Sequence, residues 1–119
     1  MEKINLKKKF NLFNDYWNPK IIGELNDQSI KIAKVKGEFI WHNHKNEDEL
    51  FLIIKGTLKI KFPNRTVELN EGEILIVPKG VQHKPIAKNE VWLLLFEPNS
   101  TKHTGNINSN ITIDKFEKI

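Results

Sequence analysis

The sequence predicts an all-β fold, a sandwich or barrel of short strands, and three observations point to it. Six short runs rich in β-branched and aromatic residues recur through the middle of the chain: Gln28 to Lys36, Glu49 to Lys55, Leu58 to Phe62, Thr66 to Leu69, Ile74 to Val77 and Val91 to Phe96. Turn signals separate them, namely Lys55-Gly56, Pro63-Asn64, Asn70-Glu71-Gly72 and Pro78-Lys79-Gly80. At 119 residues and 39% hydrophobic, the chain suffices for one domain with a real core and is too short for two.

The elements follow in chain order. Residues 1–27 fit an N-terminal arm with a short helix or extended segment carrying Phe10, Phe13, Tyr16 and Trp17. Gln28 to Lys36 sets Ile30, Ile32, Ala33 and Val35 among lysines, as in a half-buried strand with one face in water. Glu49 to Ile54 is apolar on both faces, Phe51 and Ile53 on one and Leu50, Leu52 and Ile54 on the other, and Val91 to Phe96 behaves likewise. One face can line the interior. The other also requires cover, which predicts a homodimer, a monomer with the arm folded over its own outer sheet being the alternative. Residues 28–98 form the barrel, and residues 99–119 read as a polar C-terminal tail with His103 at the surface, a tail folded over the barrel mouth being the alternative.

Composition removes several function classes. Zero cysteines exclude disulfides and thiolate chemistry, so any metal must be held by nitrogen and oxygen ligands. The net charge of +4 comes from scattered lysines, with Arg65 the sole arginine, which argues against nucleic acid as a partner. No run approaches the roughly 20 apolar residues of a membrane span, and the N-terminus lacks an export signal, so no membrane and a cytoplasmic location are expected.

The chemistry concentrates in WHNHKNEDELFLIIKG, from Trp41 to Gly56. If this stretch is a strand, side chains alternate faces and His42 and His44 point the same way, within reach of one ion. Trp41 then faces away, into core or interface packing. A turn through Lys45 to Asp48 brings Glu49 back towards the imidazoles, with Glu47 and Asp48 as competing carboxylates, and His83 follows a strand and turn in GEILIVPKGVQH. Three neutral imidazoles and one carboxylate suit a divalent first-row metal at about 2.0–2.2 Å.

These residues resemble the two motifs of the cupin superfamily, in particular small single-domain cupins. Gly37, His42, His44, Glu49 and Gly56 match the first motif, and Gly72, Pro78, Gly80 and His83 the second. Spacing to Gly56 selects Glu49 over its acidic neighbours. The sequence departs in two places: Gly37 stands one residue closer to His42 than is usual, and Ala87 replaces the asparagine that ends the second motif. The resemblance implies a double-stranded β-helix, or jelly-roll, cupin barrel with a mononuclear site of His42, His44, Glu49 and His83 near one mouth. The metal, Fe, Mn, Ni, Zn, Cu or Co, is left open by this ligand set. So is the activity, an enzyme of oxygenase or isomerase type or a non-catalytic small-molecule-binding module or sensor, a purely structural barrel being the third reading. Strand alternation places Glu38, Ile40, Phe51, Ile53 and Pro85 beside the ligands, with Gln82 at the rim, which describes a small, mostly apolar substrate pocket.

Overall fold

The computed structural model describes residues 1–105, 112 and 115–119. Among the described residues are one short helix, α1 (Leu6–Phe10), and seven strands: β1 (Lys20–Leu25), β2 (Gln28–Glu38), β3 (Glu49–Lys55), β4 (Leu58–Phe62), β5 (Arg65–Leu69), β6 (Ile74–Val77) and β7 (Lys84–Pro98). All strand pairs are antiparallel, and the order β1-β2-β7-β3-β6 is extended by β4 on β7 and β5 on β4. The jelly roll closes through β7. Its first half pairs with β4, through Lys84, Pro85 and Ile86, and its second half, Val91 to Pro98, runs between β2 and β3.

Turn chemistry sets the connections. Asn26, at φ +54°, turns β1 into β2, using the tolerance of asparagine for the left-handed region. Gly56, at φ +89° between β3 and β4, has no room for a side chain: an added Cβ would lie 2.9 Å from the Glu90 carbonyl oxygen.

The interior is built from the inward faces of β2, β3, β4 and β7, with Ala33, Val35, Phe51, Ile53, Leu58, Ile60, Val91, Leu93 and Leu95 all buried. A second apolar cluster lies outside the barrel, where Phe10, Phe13 and Ile22 cover Ile32, and Phe10 stacks on Trp92 at 4.7 Å. A five-residue helix has little stability of its own, so the burial of Phe10 and the cap from the Asn5 side chain to the Lys8 amide hold it.

This cover corrects the expectation of a solvated face on β2. Lys31 and Lys34 are both buried, on opposite faces. Lys34 is covered by the arm and donates to the Phe13 carbonyl at 2.7 Å beneath the Phe13 and Trp92 rings. Lys31 points into the barrel and pairs with Glu97 at 2.9 Å. The arm also holds a strand that the sequence pattern does not reveal, since β1 hydrogen-bonds to β2 over Lys20 to Leu25.

Candidate metal centre

The segment from Phe39 to Asp48 is loop, not strand, apart from one isolated bridge between His42 and His83. Each residue of that bridge donates its amide to the other's carbonyl, at 3.0 and 2.9 Å, which brings the two rings to 4.3 Å. Ring orientation is then set from behind. His42 Nδ1 lies 2.9 Å from the Ile40 carbonyl oxygen and His83 Nδ1 2.8 Å from that of Val81, so each Nδ1 donates and each Nε2 carries the lone pair. The Gly80 amide donates to the His44 carbonyl at 2.8 Å and holds the loop against the second motif.

Glu49, the first residue of β3, completes the cluster. Its Oε1 lies 3.3 Å from His44 Nε2 and 3.4 Å from His83 Nε2. One ligand atom from each of His42, His44, Glu49 and His83 falls within 4.8 Å of the others, and all four residues are buried. His44 Nε2, His83 Nε2 and Glu49 Oε1 have no hydrogen-bond partner among the described residues. Buried polar atoms ordinarily have partners, and a group of them aimed at one point fits a cation.

The other acidic candidates are engaged elsewhere. Asp48 accepts the Lys79 amide at 2.8 Å and Glu47 accepts the Ser100 hydroxyl at 3.2 Å.

Protonation suits ligation. Burial, with the neighbouring His83 second, pushes the His42 imidazole down from 6.5 to about 4, so it is neutral at physiological pH. Burial opposes ionisation of Glu49, but its contacts with His44 and His83 prevail and hold the carboxyl well below its usual range. A depressed histidine contributes stability that is present above pH 6.5 and lost as pH falls towards 4. Between pH 7.5 and pH 5 the metal-free protein should therefore lose about 2 kcal/mol more than a His42→Asn variant does. Urea unfolding of both proteins at the two pH values checks this, and parallel losses would refute it.

Behind the cluster stands a pair that sequence reading missed. Glu97 interacts directly with Glu49; burial and the Glu49 charge push its carboxyl well above the usual range, while Lys31 acts in the opposite direction. Lys31 Nζ also donates to the Thr101 carbonyl at 3.2 Å and lies 4.2 Å over the Phe116 ring. A hydrophobic run ending in FEP and a lysine between isoleucines carried the only signal, and neither is specific.

A small cavity of about 40 Å³ adjoins His42 and Glu49. Phe51 and Pro85 line it, as the alternation anticipates, together with Ala33, Val35, Leu93 and Leu95. Glu38 does not: it is exposed and pairs with Lys84 at 3.0 Å. Gln82 is exposed, Ile53 is sealed in the core, and Ile40 contributes its carbonyl to His42 rather than a wall. Ile40 and Gln82 stand outside the strands, where alternation does not apply; Glu38 ends β2 past the register shift between Val35 and Gly37; and Ile53 keeps the inward face of β3 but is fully buried in the core. Trp41 is 40% exposed and packs in no core.

The rest of the wall comes from outside the barrel. Trp17 and Pro19 of the arm line the cavity, with Trp17 at φ +57°, stacked on Phe39 at 4.7 Å and bonded through Nε1 to the Lys36 carbonyl. His103, expected at the surface, is 7% exposed and lines the same cavity, because the tail turns back over the barrel mouth.

Comparison with known proteins agrees with this architecture. The family model for the cupin domain matches residues 30–97. A cupin-2 domain containing protein from Shewanella frigidimarina is 47% identical with a TM-score of 0.80, over 81% of this chain and 94% of that one. Protein NMB1881 from Neisseria meningitidis is 31% identical with a TM-score of 0.76, over 82% of this chain and all of that one. The Bacillus subtilis (strain 168) protein YdbB is 39% identical over 64 residues, and the match spans 53% of this chain and 57% of that relative's length.

Proposed function

The chain belongs to the cupin domain family, and from that premise we propose that it holds one divalent transition-metal ion on His42, His44, Glu49 and His83 and acts there on a small molecule. The observation that carries this reading is the convergence of four buried ligand atoms on one point beside a cavity. Fe, Mn, Ni, Zn, Cu and Co all suit three imidazoles and a carboxylate. A bound ion would supply Lewis acidity or, if it is iron, oxygen chemistry, and the reaction is of oxygenase or isomerase type. The protein's own part is to keep the imidazoles neutral, hold Glu49 ionised and exclude bulk water with Phe51, Leu93 and Leu95.

Metal analysis of protein purified without tag or chelator tests this, with Glu49→Ala in parallel. About one ion per chain in the parent and a severe loss in the variant is the expected outcome. Full retention by Glu49→Ala would overturn the assignment.

The apolar lining favours a second reading. General acid–base chemistry needs a titratable group in the cavity, and apart from the ligand cluster the described lining provides only His103. A non-catalytic sensor or binding module would need no more than that, and would retain a ligand without turnover.

The reading includes a homodimer. On the outer face of β6, β3 and β7, Ile74 and Ile76 are more than half exposed beside half-buried Leu50, Leu52 and Phe96, beyond the reach of the Phe10 cluster. Light scattering after size exclusion should give about twice the 13.9 kDa chain mass. A clean monomer would remove this part of the proposal. Cytoplasmic location is part of the same proposal, and among the described residues no helix is long and apolar enough to cross a membrane.

A further inference from the structure

We infer that His103 is a ligand-contacting residue of this site, delivered by the C-terminal segment to hydrogen-bond the small molecule at the end remote from the metal cluster. The inference rests on the metal-centre reading above. Its starting point is the composition of the cavity wall. Among the described lining residues, polar side-chain atoms belong to His42 and Glu49, to Trp17, whose Nε1 is committed to the Lys36 carbonyl, and to His103. His103 is therefore the imidazole that faces the cavity without being one of the four clustered residues.

Its placement is enforced by specific contacts. The ring packs on Phe39 at 5.5 Å, and Phe39 meets the His42 ring edge-on at 5.3 Å, so one aromatic ring contacts both His103 and the ligand cluster. Phe116 closes over the other side at 5.8 Å. Gly105, at φ +63°, seats the turn directly on the loop between the two histidines: an added Cβ would lie 1.9 Å from the Asn43 carbonyl oxygen. Lys31 holds the start of the segment through the Thr101 carbonyl.

The wall also sets the class of ligand. No lysine or arginine is among the described residues that line the cavity, which disfavours phosphorylated or multiply anionic molecules. A volume of about 40 Å³ has room for about three waters, at about 10–15 Å³ each. The ligand is thus compact, uncharged or singly charged, apolar where it meets Val35, Phe51 and Leu93, and carries an oxygen or nitrogen at the end that meets His103.

Azide, small and singly charged, is a suitable probe. The full chain is loaded with Co(II), the Co(II) dissociation constant is measured, and azide is then titrated by visible absorption for the parent, His103→Ala and His103→Asn. The expected result is Co(II) affinity within about twofold for all three, azide affinity about tenfold weaker in His103→Ala, and partial recovery in His103→Asn, as for loss and replacement of one hydrogen bond to a charged group. Intact Co(II) binding with unchanged azide affinity in both variants would overturn the inference while leaving the metal centre standing. Loss of Co(II) binding in His103→Asn would overturn it too, by making the residue part of the metal site. A parent protein that takes up no Co(II) would remove the metal-centre reading and this inference with it.

Discussion

Replacing His83 with alanine should weaken divalent-metal binding by a hundredfold or more while leaving the fold intact. A change to an outer-shell partner typically costs 10–100-fold in metal affinity, and removal of a ligand should exceed that. His83 is fully buried, its Nε2 lies 3.4 Å from Glu49, and its Nδ1 is used on the Val81 carbonyl, so no other orientation of the ring is available. The fold should survive because the two hydrogen bonds that join His83 to the loop of His42, amide to carbonyl in each direction, are backbone ones. The substitution leaves these in place. Co(II) titration with a parallel thermal unfolding curve checks both halves, and unimpaired metal binding in a folded variant would show that the site is misassigned.

Lys31→Ala should destabilise the protein by about 3–5 kcal/mol, the usual consequence of leaving half of a buried ion pair without its partner. Both members are about 1% exposed. The loss also removes the donor to the Thr101 carbonyl and the cation beneath Phe116, so the C-terminal segment loosens with it. Its pH dependence follows from Glu97, whose carboxyl already stands well above the usual range against the pull of Lys31. Without Lys31 that carboxyl rises further and the folded state binds more protons. The stability gap between parent and variant should therefore widen as pH rises from 5 to 8. Replacing both residues, as Lys31→Met with Glu97→Leu, should be close to neutral for stability, since a buried pair exchanged for apolar side chains often is. Urea unfolding of the three proteins at both pH values provides the test, and a single variant as stable as the parent would mean that the pair contributes nothing.

These two residues mark a limit of what a linear pattern carries. Lys31 lies between Ile30 and Ile32, and nothing local distinguishes it from Lys34 or Lys36. One is an interior cation, one is covered by the arm and one is exposed. Which is which depends on Glu97, which faces Ser29 across the β2–β7 pairing, and on Phe13, which arrives from the arm. Burial of a lysine is decided by partners distant in sequence. By contrast, Glu49–Lys55, Leu58–Phe62 and Ile74–Val77 have the boundaries that their composition indicates, because β-branched and aromatic runs ended by Gly, Pro and Asn act locally.

The all-β class, six of the seven strands, the family and the four residues that cluster were legible in the sequence, since short-range alternation, turn chemistry and motif spacing are written in neighbouring positions. What surrounds them depends on how distant segments pack. His42 and His44 meet His83 through a loop bridge rather than along a strand, Glu38 and Gln82 turn to solvent, and Trp17 and His103 enter from the two ends of the chain to close the cavity. The physical reason is that a cavity wall is selected by which surfaces must cover apolar area after the barrel has closed, and that choice is made between segments up to 86 residues apart, as Trp17 and His103 are.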